Sequence, residues 1–227
     1  MGISDQHKVV ISSYAGVIIL ASIIFVAAGT ILYWQAILYL GLALFGTTLT
    51  HFLTPDGSAI AVQRVRTAGS GEPWDKAIMG ILFMLSLVTF IVAGLDSGRF
   101  GWTQPLPVSV PLMGAVMMFA GQVLFAFARR ENAFFTSTVQ IASDRSHTVC
   151  STGPYRIVRH PGYAGMALTL IAFPLVLTAL WAMIPAVLSV VVLVIRVQKE
   201  DAFLLERLPG YRDYSARVAS KLIPYVF

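Results

Sequence analysis

Three stretches of this 227-residue chain carry residue types able to bind and position a ligand. "STGPYRIVRHPGYAG", residues 151–165, places three basic residues, two tyrosines, two prolines and three glycines directly ahead of a long apolar run. "RVQKE", residues 196–200, follows that run, and "LPGYRDYSAR" begins at residue 208. Tyr155 and Tyr163 can supply aromatic walls with polar tips. Pro154 and Pro161 fix the chain, while Gly153, Gly162 and Gly165 allow close approach. Arg196 and Glu200 are four residues apart, so on a helix they share one face. A carboxylate, aromatic walls and a kinked backbone rich in free donors suit a ligand with a cationic group and a flat ring. Each residue also has a plainer reading. Arg129, Arg130 and Arg156 fit anchors at a membrane boundary, and Arg159 fits either role. Arg196 and Glu200 fit a surface pair worth a few tenths of a kcal/mol. Tyr211 and Tyr214 either pin the tail at the interface or close on the ligand.

The elements that must hold these residues are membrane helices. The chain is 57% hydrophobic and 12% charged, with a mean hydropathy of +0.77. Soluble domains carry roughly 25% charged residues, so the composition predicts an integral membrane protein. Its length suits one domain. The single Cys150 excludes an intramolecular disulfide. The net charge of +5 does not indicate nucleic acid, because the bases are not clustered in an aromatic-interleaved domain. Four dispersed histidines and one cysteine predict no metal site.

Charge-free runs predict the spans. Residues 9–55 are long enough for two helices of about 20 residues with a turn near 30–35. Residues 77–95 supply a third span, and a fourth begins near Val108. The run 161–195 would reach about 52 Å as one helix, against a hydrocarbon core of about 30 Å. A tight hairpin turning near 179–182 fits better. With six spans and both termini cytoplasmic, every Lys and Arg but Arg99 lies on the cytoplasmic side. A single last span would scatter the bases across both sides. The expected fold is therefore an all-α polytopic bundle: residues 1–128 hold four spans, and 129–227 hold the hairpin and a cytoplasmic C-terminal helix or tail that closes the site. Both polar segments flanking the hairpin then meet at the cytoplasmic rim.

The ordered set Gly-Pro-Tyr, Arg-His-Pro-x-Tyr, Arg-x-x-x-Glu and Gly-Tyr-x-x-Tyr, over residues 130–224, resembles the isoprenylcysteine carboxyl methyltransferase family, which is related to phospholipid N-methyltransferases. The resemblance implies S-adenosyl-L-methionine as methyl donor, released as S-adenosyl-L-homocysteine, bound without a Rossmann domain. The chain has no strand-Gly-x-Gly-x-x-Gly-helix unit, which agrees. Carried over by position, the family's cofactor contacts fall on Gln140, His147, Thr148, Val149, Cys150, Tyr155, His160, Pro161, Gly162, Tyr163 and Glu200. Arg196 falls where the family places a substrate-contacting arginine, and Arg196 and Glu200 are the expected catalytic pair. Cys150 departs from the family, which has an aliphatic residue there, so its backbone matters more than its thiol.

The resemblance implies methyl transfer to a lipidic or amphipathic small molecule drawn from among membrane lipids, with the active site facing the cytoplasm. A carboxylate acceptor needs no general base, and none is evident. A phospholipid amine or a small thiol is the alternative acceptor. An NADPH-dependent membrane reductase and a non-enzymatic transporter are the remoter readings, the latter disfavoured because residues 9–50, 77–95, 100–128 and 161–195 hold no Asp, Glu, Lys, Arg or His.

Overall fold

A computed structural model describes residues 3–53, 72–136, 138–139 and 147–227, with side chains from residue 7 onward. These form seven α-helices and no strand: α1 (Ile3–Ala28), α2 (Trp34–Leu53), α3 (Pro73–Ala93), α4 (Ser109–Glu131), α5 (Pro161–Val176), α6 (Met183–Arg207) and α7 (Tyr211–Arg217). Five helical stretches among the described residues are long and apolar enough to cross a membrane: most of α1, α2, α3 with its extension, α4, and Leu180–Arg207. The chain is a multi-pass membrane protein.

Two boundaries differ from expectation. The third span starts at Pro73, four residues earlier than the charge-free run, because Pro73 opens a helix well and Asp75 sits favourably in its first turn. Its other end passes through a π-helical turn, Gly94–Phe100, and stops at Gly101, whose φ of 62° glycine adopts readily. The hairpin is present, but its first arm is only 16 residues long. Pro174 removes one helical N–H, and Thr178 at φ 53° turns the chain out of the helix.

The turn of that hairpin lies at the same end of the bundle as the α1–α2 and α3–α4 connections. Tyr33 donates its hydroxyl to Leu177 O at 2.5 Å, and Gln35 donates to the Thr178 hydroxyl. Ser97 Oγ donates to Thr178 O. Asp96, fully buried, accepts from Thr103 N, the Thr103 hydroxyl and Trp181 N. These bonds satisfy the backbone that the turn leaves unpaired at this depth.

The bundle is small inside and bulky outside. Ala21, Ala28, Ala36, Ala93, Ala172 and Ala182 fill the interior, around an edge-to-face trio of Tyr39, Phe173 and Phe90. Ile18, Val26, Ile37, Phe83, Val116 and Val191 point outward, as a lipid-facing surface requires. Helices α4 and α5 run antiparallel with their backbones in contact. A Cβ on Gly121 would strike Gly165 O and Thr169, and a Cβ on Gly165 would strike Gly121 O and Phe125 N. Small residues here let two helices approach without side chains between them.

Gly165→Leu should therefore force α4 and α5 apart and lower stability by about 1–3 kcal/mol. The check is the melting temperature of detergent-solubilised protein, against Gly80→Leu, whose Cβ would meet nothing within 4 Å. Equal melting of the two variants would show that the helices are not in backbone contact.

Candidate active site

The site end of the bundle is organised by two buried carboxylates. Asp201 on α6, 2% exposed, accepts from Arg159 Nε and Nη2 at 2.9 Å each and from the Tyr211 hydroxyl at 2.8 Å. His160 Nε2 lies 3.2 Å from it, and Lys221 Nζ lies 3.5 Å away. Arg159 Nη1 donates onward to Val218 O and Ala219 O. Backbone bonds from Arg159 N to Ser220 O and from His160 N to Lys221 O seat the tail alongside the turn. One carboxylate thus ties α6, the Arg-His-Pro turn, α7 and the tail together.

Asp75 is the second. It is fully buried and accepts from Arg196 Nε at 2.7 Å, Arg196 Nη2 at 3.3 Å and Val139 N at 2.8 Å. The Arg196 guanidinium lies over the Tyr163 ring, 5.1 Å from its centroid, and the Tyr163 hydroxyl donates to Glu200 Oε2 at 2.5 Å. Asp75, Arg196, Tyr163 and Glu200 form one chain of contacts from α3 through α6 and α5.

Between these supports lies a cleft with about 760 Å³ of empty space counted out to its mouth. His147, Thr148, Val149, Cys150, Tyr155, His160, Gly162, Tyr163 and Glu200 all line it. Three separate sequence segments therefore converge as the motif set implied. Pro161 lies behind the lining as the first residue of α5. Arg196, 3% exposed, is not in the lining; Asp75 and the Tyr163 ring engage it instead. Gln140 falls outside the described residues.

The remaining lining comes from residues the motifs did not single out. Phe134 stacks on His147 with centroids 4.3 Å apart. Leu204 and Leu208 follow Glu200 at intervals of four, a helical period legible in the sequence. Tyr211 and Tyr214 are buried in the cleft wall, so they close the site and do not pin the tail at an interface. Gly210, at φ 82°, makes the sharp bend that folds α7 back. Asp201 and Asp75 were missed because an acidic residue beside Glu200, or ahead of a span, looks like ordinary solvated charge.

Burial pushes the phenols of Tyr155, Tyr211 and Tyr214 upward, and the Asp201 charge raises Tyr211 further. They stay protonated and act as donors: Tyr214 to Tyr155 O at 2.7 Å, and Tyr155 to Ala128 O at 3.3 Å. Burial raises the Cys150 thiol by more than the opposing bonds to Thr152 lower it, and nearby Glu131 adds a small further rise. A raised pKa means less thiolate at a given pH. Cys150 should react with iodoacetamide more slowly than a small free thiol at pH 8, and the rate should climb as pH rises further. A rate equal to the free thiol's would contradict the burial.

Asp201→Ala would leave Arg159 buried without its partner, at a cost of about 3–5 kcal/mol. Asp201→Asn keeps an acceptor and should lose less. Detergent melting curves check both, and a melting point unchanged in Asp201→Ala would show the tail is held by other contacts.

Part of the chain is similar in sequence to known proteins. The model of the isoprenylcysteine carboxyl methyltransferase (ICMT) family matches residues 112–206. The cobalt-zinc-cadmium resistance protein CzcN of Cupriavidus metallidurans is 25% identical over 140 residues, 58% of this chain and 57% of that protein. The chain thus spans little more than half the length of that relative. Residues 112–206, which carry most of α4, all of α5 and nearly all of α6, are thus similar to the isoprenylcysteine carboxyl methyltransferase family.

Proposed function

We propose that the chain transfers a methyl group from S-adenosyl-L-methionine to a membrane-partitioned acceptor, a carboxylate first among the candidates. The observation that carries this reading is the convergence of residues 147–150, the 155–163 turn and Glu200 on one slot roofed by α7. The residues fit such a donor. The stacked Phe134–His147 pair and the tyrosines offer aromatic faces for a flat ring. Glu200 offers a carboxylate for the donor's cationic part. Gly162 carries no side chain where one would strike the Phe135 ring, which keeps the cleft wall close. When bound, S-adenosyl-L-methionine supplies a methyl group activated on a sulfonium.

In this reading the chain's own task is alignment and the exclusion of water. Glu200 and Tyr163 hold one another at 2.5 Å at the cleft wall, and Arg196 acts from beneath Tyr163 by fixing that ring. His160 is committed to Asp201, so its contribution is to shape the turn as well as to contact the ligand. A carboxylate acceptor needs no base, which suits a site whose phenols stay protonated.

The same reading takes six spans. α5 is short, yet its C-terminal turn bonds to the loops at the far end of the bundle while Tyr163, near its start, meets the site end. Both arms of the hairpin thus cover the height of their neighbours. The distribution of basic residues puts the site and both termini in the cytoplasm.

Calorimetry on purified protein tests the donor site. S-adenosylhomocysteine should bind, and Glu200→Ala or His160→Ala should weaken it at least tenfold, about 1.4 kcal/mol. Unchanged affinity in both would reject the assignment. Arg196→Lys should lower turnover more than S-adenosylhomocysteine affinity; equal losses would move Arg196 into the donor's shell. Incubating membranes with radiolabelled donor and identifying the product reads the acceptor, and label on a phospholipid amine or a small thiol would replace the carboxylate.

A further inference from the structure

The stretch after α7 closes in a turn whose outward side chains the site does not use. Leu222 and Phe227 face the protein, in one apolar cluster with Ile78 of α3, Tyr163 of α5 and Leu193 and Val197 of α6. Between them Ile223, Tyr225 and Val226 point outward, 55%, 103% and 77% exposed. Pro224 is exposed as well, and residues 222–227 contain no Asp, Glu, Lys, Arg or His. Contiguous exposed apolar residues of this kind mark a surface that meets protein or membrane.

The backbone of the turn favours membrane. Every N–H from Leu222 to Phe227 is answered within the turn or by Ser220. Leu222 N and Ile223 N donate to Phe227 O at 2.7 and 2.8 Å, Val226 N and Phe227 N to Ile223 O at 3.1 Å each, and Tyr225 N to Ser220 Oγ at 2.9 Å. Pro224 has no N–H to answer. Backbone that meets lipid must satisfy its donors internally, because the surroundings offer no acceptor. Tyr225 is held at φ 62°, a strained conformation for a residue with a side chain. There its ring stands wholly outside the protein, and tyrosine is enriched where headgroups meet acyl chains. The level of the turn agrees. Trp74, at the start of α3, packs against the same cluster, with Lys199 Nζ 5.6 Å from its ring centroid. An aromatic ring beside a long cation marks the depth at which spans leave the bilayer.

From these observations we propose that residues 223–226 are a membrane anchor: the turn seats its apolar side chains at the headgroup and acyl-chain boundary of the leaflet on the site side, and so holds the tail against the cleft. The coupling is short. Ser220 O and Lys221 O, just ahead of the turn, accept from Arg159 N and His160 N, and both of those residues line the cleft. Lipid thus adds a second hold on the tail beside Asp201. The anchor goes beyond the methyltransferase reading and does not need it.

The test uses the full chain in phosphatidylcholine nanodiscs. With Cys150→Ser removing the native thiol, a nitroxide is attached through Tyr225→Cys or, as a reference on the exposed side of α7, through Asp213→Cys. Dissolved oxygen, which partitions into lipid, should relax the label at position 225 at least threefold more than a neutral water-soluble nickel chelate does, and the order should reverse at position 213. In the chain that keeps Cys150, Ile223→Asp together with Val226→Asp should expel the turn and lower S-adenosylhomocysteine affinity at least fivefold, whereas Tyr225→Trp should retain it. Relaxation at position 225 dominated by the chelate would overturn the anchor. Protection from both reagents would assign the turn to a protein contact and overturn it equally. Unchanged affinity in the double variant would overturn the coupling to the cleft. A wild-type chain that fails to bind S-adenosylhomocysteine would instead sink the methyl-donor reading and leave the labels to decide the anchor.

Discussion

Everything at the site end hangs on the Asp201 carboxylate. A charge buried to 2% exposure survives only if its oxygens are answered by cations and hydrogen-bond donors. Asp201 collects Arg159, His160, Tyr211 and Lys221, which come from the turn before α5, from α7 and from the tail. Backbone bonds from Arg159 N to Ser220 O and from His160 N to Lys221 O seat the tail beside it. α7 is seven residues long and contributes a small apolar cluster, Leu208, Tyr211 and Tyr214, over Val149 and Leu204. Without the carboxylate, the wall of the cleft formed by α7 would have no fixed position.

The Asp75–Arg196 pair plays the complementary part on the opposite side. It draws α3 against α6 and, through Val139 N, holds the stretch just ahead of the cleft-lining residues 147–150. Because Arg196 also lies over Tyr163, the position of the Tyr163–Glu200 bond depends on α3 being in place. A helix remote from the motif residues in sequence thereby sets the geometry of the cleft.

Membrane surroundings explain the rest of the architecture. Lipid provides little drive to bury large apolar residues, so alanine takes much of the interior beside aromatics and buried aliphatics such as Ile24, Leu177 and Leu193, while many bulky aliphatics face outward. Gly121 and Gly165 bring α4 and α5 into backbone contact, which positions Gly162, Phe125 and Phe135 where the cleft adjoins a second cavity, bounded by α1, α2, α4 and α5. Close helix packing and the partition between the two cavities are the same feature seen at two depths.

The sequence by itself determined the helical class, the placement of the long spans and the reversal within the last apolar run, because hydrophobic length and charge distribution answer directly to bilayer thickness. It also marked part of the cleft, since Tyr155, His160, Gly162, Tyr163 and Glu200 stand in local, ordered motifs. Only the tertiary structure decided what those residues do to one another. Asp201 and Asp75 look like ordinary charge along the chain, and the arginines that answer them lie 42 and 121 positions away. The same holds for Arg196, drawn out of the cleft by a carboxylate 121 positions away, and for Arg129, which reads as a boundary anchor until the helices around it leave its Nε without a partner. Periodicity and composition report on a residue's neighbours in the chain, whereas the cost of a buried charge is set by neighbours in space.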